Sequence, residues 1–383
     1  MGNNADAQRH DGFVQATVEL VRTRVQQHAD TWFPERGAPA QVDVRVLSDR
    51  PRCLLLTARL DGAPEPAVLA KVRREGVDVV RTSSRPRLRS DAVTAVELTT
   101  LEFGGLRTIE GVFGAASSSF GFVRPLDHRE GETTLLMDFV VAPTLRRVLL
   151  DTSRFSRRRG SAAAIDPASA CRLAGEWLRA FQDEAPAGMT PPRQHRRDDV
   201  MQQFHAYDGF LRPLVGERAL GRLAARGAEL ATAVLPDRLP VALGHGDFAP
   251  RNMFVDSGRL VVFDPMPRWT VPVYEDLCRF LVGVRLLGIQ VHTHGRAFAA
   301  KTMAQWEEAA IGGYLGADAS DPAKIAALRC YEVLIMLDKW SALVDAQGSG
   351  WRSRAEQASL RLAAGFVRSQ VEAMLRIAEA AAT

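Results

Sequence analysis

Three oxygen-bearing side chains fall close together in the stretch Leu243 to Pro265, LGHGDFAPRNMFVDSGRLVVFDP. Met253 to Val255 and Leu260 to Phe263 are short apolar runs, and Asp256-Ser257-Gly258-Arg259 between them is turn material, so the stretch predicts a β-hairpin. With its centre between Ser257 and Gly258, Asn252 and Asp264 emerge at the same open end. An amide oxygen and a carboxylate are hard ligands of the kind Mg²⁺ takes, with water and substrate phosphates completing its shell. Asp247 lies on the loop that enters the hairpin, where its carboxylate can accept a proton from an attacking hydroxyl. Taken singly, Asp247 reads as a turn residue, Asn252 as a cap and Asp264 as the start of a turn with Pro265. Arranged together around one hairpin, they read as a site for metal-assisted chemistry.

Elements of two kinds must hold this site. Val14, Val18, Val21 and Val25 repeat at helical spacing, which predicts a leading amphipathic helix over Val14 to Gln27. Val42 to Val46, Cys53 to Leu60 and Ala67 to Val72 read as short strands with turn punctuation, an antiparallel meander. Asp91 to Ile109 reads as a helix, although Gly104-Gly105 weakens it, and Thr134 to Val141 as a buried strand. From Thr144 onward helical periods dominate, with helices expected over 168–181, 200–214, 221–234, 274–287, 299–314, 323–344 and 354–380. Met336 and Trp340 should pack in the core. Asp338 and Lys339 beside them are either surface charges or substrate contacts. His292-Thr293-His294 is read as a loop rather than a metal site. Strands first and helices after describe an α+β chain, with an N-terminal unit over residues 1–142 and a helical C-terminal unit over 143–383.

His245-Gly246-Asp247-Phe248-Ala249-Pro250-Arg251-Asn252, followed by Phe263-Asp264-Pro265, resembles the H-G-D-x-x-x-x-N … D signature of aminoglycoside phosphotransferases and related small-molecule kinases. The resemblance implies a bilobal protein-kinase-like fold: an N-lobe antiparallel sheet with one helix, and a larger, mostly helical C-lobe. It implies that Asp247 is the catalytic base or orienting carboxylate, that Asn252 and Asp264 hold Mg²⁺, and that His245 supports the loop. Protein kinases commonly carry Lys two positions after their Asp; Ala249 stands there, which favours the small-molecule branch. Val273-Tyr274-Glu275-Asp276-Leu277 matches the family's Y-x-D-L segment, so Asp276 should brace the catalytic loop from behind. A helix N-cap carboxylate is the plainer reading of the same residue. Ala67-Val68-Leu69-Ala70-Lys71 is similar to a kinase third strand, with Lys71 on the nucleotide phosphates. A lone lysine ending an apolar run can also be a strand end reaching for solvent. The partner of Lys71 should be Glu102, with Glu97 as the alternative. Asp138, Phe139 and Val140 resemble the hinge, whose backbone would meet adenine while its side chains chiefly pack.

The resemblance thus implies a phosphotransferase that takes ATP or GTP with Mg²⁺ and moves the γ-phosphate to a hydroxyl of a small molecule. The acceptor would be an aminoglycoside-like antibiotic, a sugar or a related metabolite. One element departs from it: the turn Ser48-Asp49-Arg50-Pro51-Arg52 has no glycine where kinases close a glycine-rich loop on the phosphates. A catalytically weak or inactive kinase-like binding protein is therefore the alternative. Either Arg50 and Arg52 replace the missing backbone donors, or nucleotide is held loosely.

Composition narrows the partners. The chain has 383 residues, 46% hydrophobic and 25% charged, an ordinary globular balance. Its net charge of +4 is too mild to imply nucleic acid. The basic excess is local, from Lys71 to Ser90, and reads as a solvated loop or an anion-attracting flap. No dense acidic patch suits a polycationic acceptor, so a neutral or anionic hydroxylated molecule is at least as good a candidate. The longest apolar candidate, Leu277 to Val291, contains Arg279 and Arg285 and reads as a core helix, so no membrane span is expected. The four cysteines lie far apart and form no C-x-x-C pair, which fits a reducing, cytoplasmic setting. Oligomeric state is not legible.

Overall fold

A computed structural model describes residues 2–75, 85–88, 93–114, 119–156, 165–186, 195–347 and 353–382. The chain divides into two compact units: Met1–Val80 with Ala92–Gly114 and Phe122–Val141, and Arg81–Asp91 with Ala115–Gly121 and Ala142–Thr383.

The first unit carries helix α1 (Gly2–Trp32), strands β1 (Val42–Asp49), β2 (Cys53–Leu60) and β3 (Val68–Arg73), and helix α2 (Ala95–Phe113). After the short strand β4 (Phe120–Phe122), the chain adds β5 (Pro125–His128) and β6 (Thr134–Asp138). Five of these strands form one antiparallel sheet of order β1-β2-β3-β6-β5. The pleat sorts β3 into two faces. Val68, Ala70 and Val72 are buried with Leu54 and Leu56 of β2 against Val21, Val25 and Ala29 of α1. Leu69, Lys71 and Arg73 face the other way, where α2 supplies their partner. The leading helix thus covers one face of the sheet and is longer than its valine repeat predicts. Helix α2 starts later than expected because Thr94 and Glu97 close a capping box: the Glu97 backbone N–H donates to Thr94 Oγ1 (3.1 Å), and the Thr94 N–H to Glu97 Oε2 (2.8 Å). That use of Glu97 leaves Glu102 facing the sheet.

The second unit holds helices α3 (Leu145–Asp151), α4 (Pro167–Glu184), α5 (Arg197–Val215), α6 (Glu217–Leu220) and α7 (Leu223–Val234). Then come β7 (Val241–Leu243), β8 (Met253–Asp256), β9 (Arg259–Val262) and β10 (Thr270–Pro272), followed by α8 (Tyr274–Arg285) and α9 (Gly288–His292). Helices α10 (Ala300–Leu315), α11 (Pro322–Gln347) and α12 (Arg354–Ala381) complete it. The expected helix over Leu277 to Val291 is two pieces, because α8 ends at Arg285 and α9 begins at Gly288. Among the described residues no helix is long and apolar enough to cross a membrane.

The core of this unit is aromatic where it meets the loop of interest. Trp177 of α4 stacks on Phe181 and on Phe248, and Phe248 also meets Phe280 of α8. Met336 and Trp340 are buried as expected. Asp338 is buried rather than at the surface: its carboxylate accepts from Tyr207 Oη (2.8 Å) and Arg85 Nη1 (2.9 Å). A second buried polar group joins Arg285 and Arg329 to Glu307 and Glu332. The segment 292–294 is a helix end and turn, with His294 at a φ of 48°.

Candidate active site

The hairpin forms with the register its turn residues dictate. Met253 pairs with Val262 and Asp256 with Arg259. Ser257 and Gly258 between them take φ of 47° and 83°, the pair of left-handed residues a tight hairpin turn requires. The ladder runs on to the open end, where the Phe263 N–H donates to the Asn252 carbonyl (3.0 Å). Asn252 and Asp264 therefore leave the hairpin side by side. Asp264 is itself at a φ of 60°, a left-handed conformation a carboxylate residue tolerates better than a branched one.

Asn252 is buried, and both hydrogens of its side-chain amide are used: Nδ2 donates to the Asp247 carbonyl (2.9 Å) and to Asp247 Oδ2 (2.8 Å). This fixes the amide so that Oδ1 is the atom left to act as an acceptor. The hard-oxygen donor set of Asn252 and Asp264 at one strand end fits a divalent cation of the Mg²⁺ type. It also ties Asn252 to Asp247, so the three residues singled out by sequence are brought together within one unit.

The loop holding Asp247 is built from behind. Asp276, on the first turn of α8, is fully buried. Its Oδ2 accepts the His245 N–H at 2.5 Å, and its two oxygens share the Gly246 N–H at 3.4 Å. Val273 occupies the N-cap of α8, and the Asp276 carboxylate turns to the loop. His245 is buried against Trp177 and Phe248, and its Nδ1 accepts the Asp247 N–H (3.3 Å). Gly246 has a φ of 95°, and a Cβ there would lie 2.2 Å from the Met266 carbonyl oxygen. Only glycine fits that position.

One contact was not anticipated. Arg251 Nη2 donates to both Asp247 oxygens, at 2.6 and 2.7 Å. Together with Asn252, it occupies the carboxylate on both sides. A cation within the motif's variable positions was visible in the sequence, but the loop's turn back onto Asp247 was not.

In the first unit, Lys71 Nζ donates to Glu102 Oε1 (2.9 Å) and lies 2.8 Å from Oε2. Glu102 is buried and also accepts from Arg73, which shares the strand face of Lys71 by the two-residue period. That period was the signal that could have added Arg73 to the site. At the expected hinge, the Asp138 N–H donates to the Arg124 carbonyl and the Phe139 N–H to the Ala67 carbonyl, both at 2.9 Å. Two of the three hinge N–H groups are therefore used inside the unit; among the described residues that of Val140 has no backbone partner. Nor does the Asp138 side chain simply pack: it pairs with Arg124 (3.1 Å), and burial holds its carboxyl above the usual range against that pull.

The glycine-free turn closes with the Arg50 N–H on the Cys53 carbonyl (3.0 Å). Asp49 is taken up by Arg74 and His10. Of the basic run after Lys71, residues 76–84 and 89–90 lie outside the described residues. In the remainder Arg73, Arg74 and Arg85 are ion-paired.

Comparison with known proteins gives the same frame. The model of a family described as "Phosphotransferase enzyme family" matches residues 118–309, half of the chain. No curated protein matches. Among solved structures, a choline/ethanolamine kinase family protein from Mesorhizobium loti is 13% identical, with a TM-score of 0.54, covering 94% of this chain and 98% of that one. A choline kinase from Cryptosporidium parvum Iowa II is 9% identical, with a TM-score of 0.55, covering 94% and 95%. A thermostable mutant of an aminoglycoside phosphotransferase, solved as a ternary complex with AMP-PNP and hygromycin B, is 14% identical, with a TM-score of 0.50, covering 92% and 98%. These likenesses show the fold: a protein-kinase-like one, with an N-terminal antiparallel sheet and helix and a larger helical C-terminal part.

Proposed function

The chain belongs to the phosphotransferase enzyme family, and on that premise we propose that it transfers the γ-phosphate of ATP or GTP to a hydroxyl of a small molecule, in the cytoplasm. The carrying observation is Asp247 hydrogen-bonded to Asn252, with Asp264 leaving the same hairpin end. Nucleotide and Mg²⁺, when bound, supply the phosphoryl group and offset charge on its oxygens. The chain's own residues do the rest. Asn252 Oδ1 and the Asp264 carboxylate would hold the metal. Lys71, kept in place by Glu102, would meet the α- and β-phosphates. The backbone near Val140 would meet the base. Asp247 aligns the acceptor alcohol and takes its proton as the new O–P bond forms and the bond to the nucleotide's bridging oxygen breaks. Asp276 and His245 are positioning residues, because they touch the loop and not the reactants.

A second reading, a kinase-like binding protein with little turnover, is favoured by two observations. The turn over residues 48–52 lacks glycine, and Arg251 occupies Asp247. Transfer of label from γ-labelled ATP across a panel of hydroxylated metabolites and antibiotics separates the two. Turnover abolished by Asp247→Ala supports the transferase. Mg·ATP binding with no turnover on any acceptor supports the binding protein.

A further inference from the structure

Beside Asp247 the second unit has a cavity of about 240 Å³, and its chemistry is one-sided. Arg146 from α3, Arg251 from the catalytic loop and Lys339 from α11 line it, with Pro250, Gly283 and Leu286 among the apolar remainder. Among the described residues no carboxylate lines it. Among the described residues, no acid pairs with Arg146 or Lys339. The acids nearest in sequence to Lys339 and Arg279 are taken: Asp338 serves Tyr207 and Arg85, and Glu275 serves Arg279. Lys339 is half-buried; burial, with Arg279 nearby, lowers its pKa against the pull of Asp338 and Asp247. A cation so placed, with no acid in direct contact among the described residues, gains from a ligand that brings a negative charge. Arg251 pairs with Asp247 itself, and both are partly exposed.

We propose that the acceptor alcohol carries an anionic group, a phosphate or a carboxylate, which this cavity receives on Arg146, Arg251 and Lys339. Seating that anion gives Arg251 a second partner and draws it off Asp247, freeing a carboxylate oxygen for the hydroxyl. Acceptor binding and exposure of the base are then one event. The apolar remainder of the wall takes the acceptor's carbon skeleton. A polycationic acceptor meets three like charges there. The inference rests on the phosphotransferase reading for the word acceptor, but the anion seat stands on the cavity alone.

The test uses the full chain and two kinds of readout. In the first, sugars and polyols are compared with their monophosphates, with the matching hydroxy acids and with amino sugars, following ADP release. The anionic member of each set is expected to show kcat/KM at least about tenfold above its neutral parent. Arg146→Gln and Lys339→Met should each raise its KM about tenfold, with the KM for ATP unchanged; Lys339→Arg should retain most of the affinity. The monophosphate and hydroxy-acid arms decide which anion the cavity takes. In the second, sodium sulfate is compared with sodium chloride at equal ionic strength by thermal shift, without nucleotide. Sulfate should stabilise the wild type, and the gain should be lost in Lys339→Met and Arg146→Gln but kept in Arg222→Gln, an exposed arginine paired with Glu229. Equal sulfate shifts in wild type and both cavity variants overturn the proposal, as does preferred turnover of neutral or amino-sugar acceptors. Failure of Mg·ATP to bind or turn over while the sulfate shift persists counts instead against the phosphotransferase reading.

Discussion

Asp276→Asn and Asp276→Ala probe how the loop carrying Asp247 is held. A hydrogen bond to a charged acceptor contributes roughly 1.5–3 kcal/mol. The bond from the His245 N–H, at 2.5 Å inside the core, belongs to that class, whereas the shared Gly246 bond at 3.4 Å adds little. Asparagine keeps one acceptor oxygen and loses the charge, so Asp276→Asn should destabilise by about 1–2 kcal/mol. Alanine leaves two N–H groups of the loop without that acceptor, one of them in the core, and opens a small void. Its cost should be about 3–4 kcal/mol. Urea unfolding followed by circular dichroism reads both. Because Asp276 touches no reactant, kcat should fall, by about a hundredfold for a loop displaced by an ångström, while the KM for ATP stays within about twofold. Asp276→Ala with unchanged stability and unchanged kcat would refute the bracing role.

Glu102→Gln should raise the KM for ATP about tenfold and destabilise by about 1–3 kcal/mol, because Lys71 and Arg73, both partly exposed, lose one shared carboxylate. Lys71→Met should raise the KM for ATP similarly with a smaller loss of stability, since Glu102 keeps Arg73; nucleotide titrations and urea midpoints check both. Burial and the facing Glu332 push the Glu307 carboxyl up from 4.5 to about 8, against the pull of Arg285 and Arg329. The fold then holds a proton there that the unfolded chain has released, so this contribution is full below 4.5 and is lost as pH rises through about 8. Between about pH 5 and pH 9 the Tm of the wild type should fall more than that of Glu307→Gln; parallel profiles would contradict the assignment.

How much of this was written in the sequence depends on how local each feature is. The hairpin was legible because Ser257-Gly258 sets its own register through two left-handed residues, which then fixes where Asn252 and Asp264 emerge. The choice of Glu102 over Glu97 was legible in principle, since Thr94-x-x-Glu97 is a capping box and removes Glu97 from consideration. Strand β5 escaped notice because Pro125-Leu126-Asp127-His128 has no alternation; its pairing with β6 defines it. Asp338 and Lys339 could not be told apart by sequence, being adjacent charges on one helix. The fold turns one inward to Tyr207 and Arg85 and the other into the basic cavity. That cavity joins positions 146, 251 and 339 from three elements, and no local pattern announces such a meeting.

In the proposed function, Asn252 and Asp264 together would hold the divalent ion that accompanies nucleotide. Electron paramagnetic resonance of Mn²⁺, titrated into the full chain with and without ADP, tests it most directly. One nucleotide-dependent Mn²⁺ site is expected in the wild type, weakened by about a hundredfold in Asp264→Ala and more mildly in Asn252→Ala, which keeps the stronger ligand. Mn²⁺·ADP bound equally well by the wild type and both variants would contradict it.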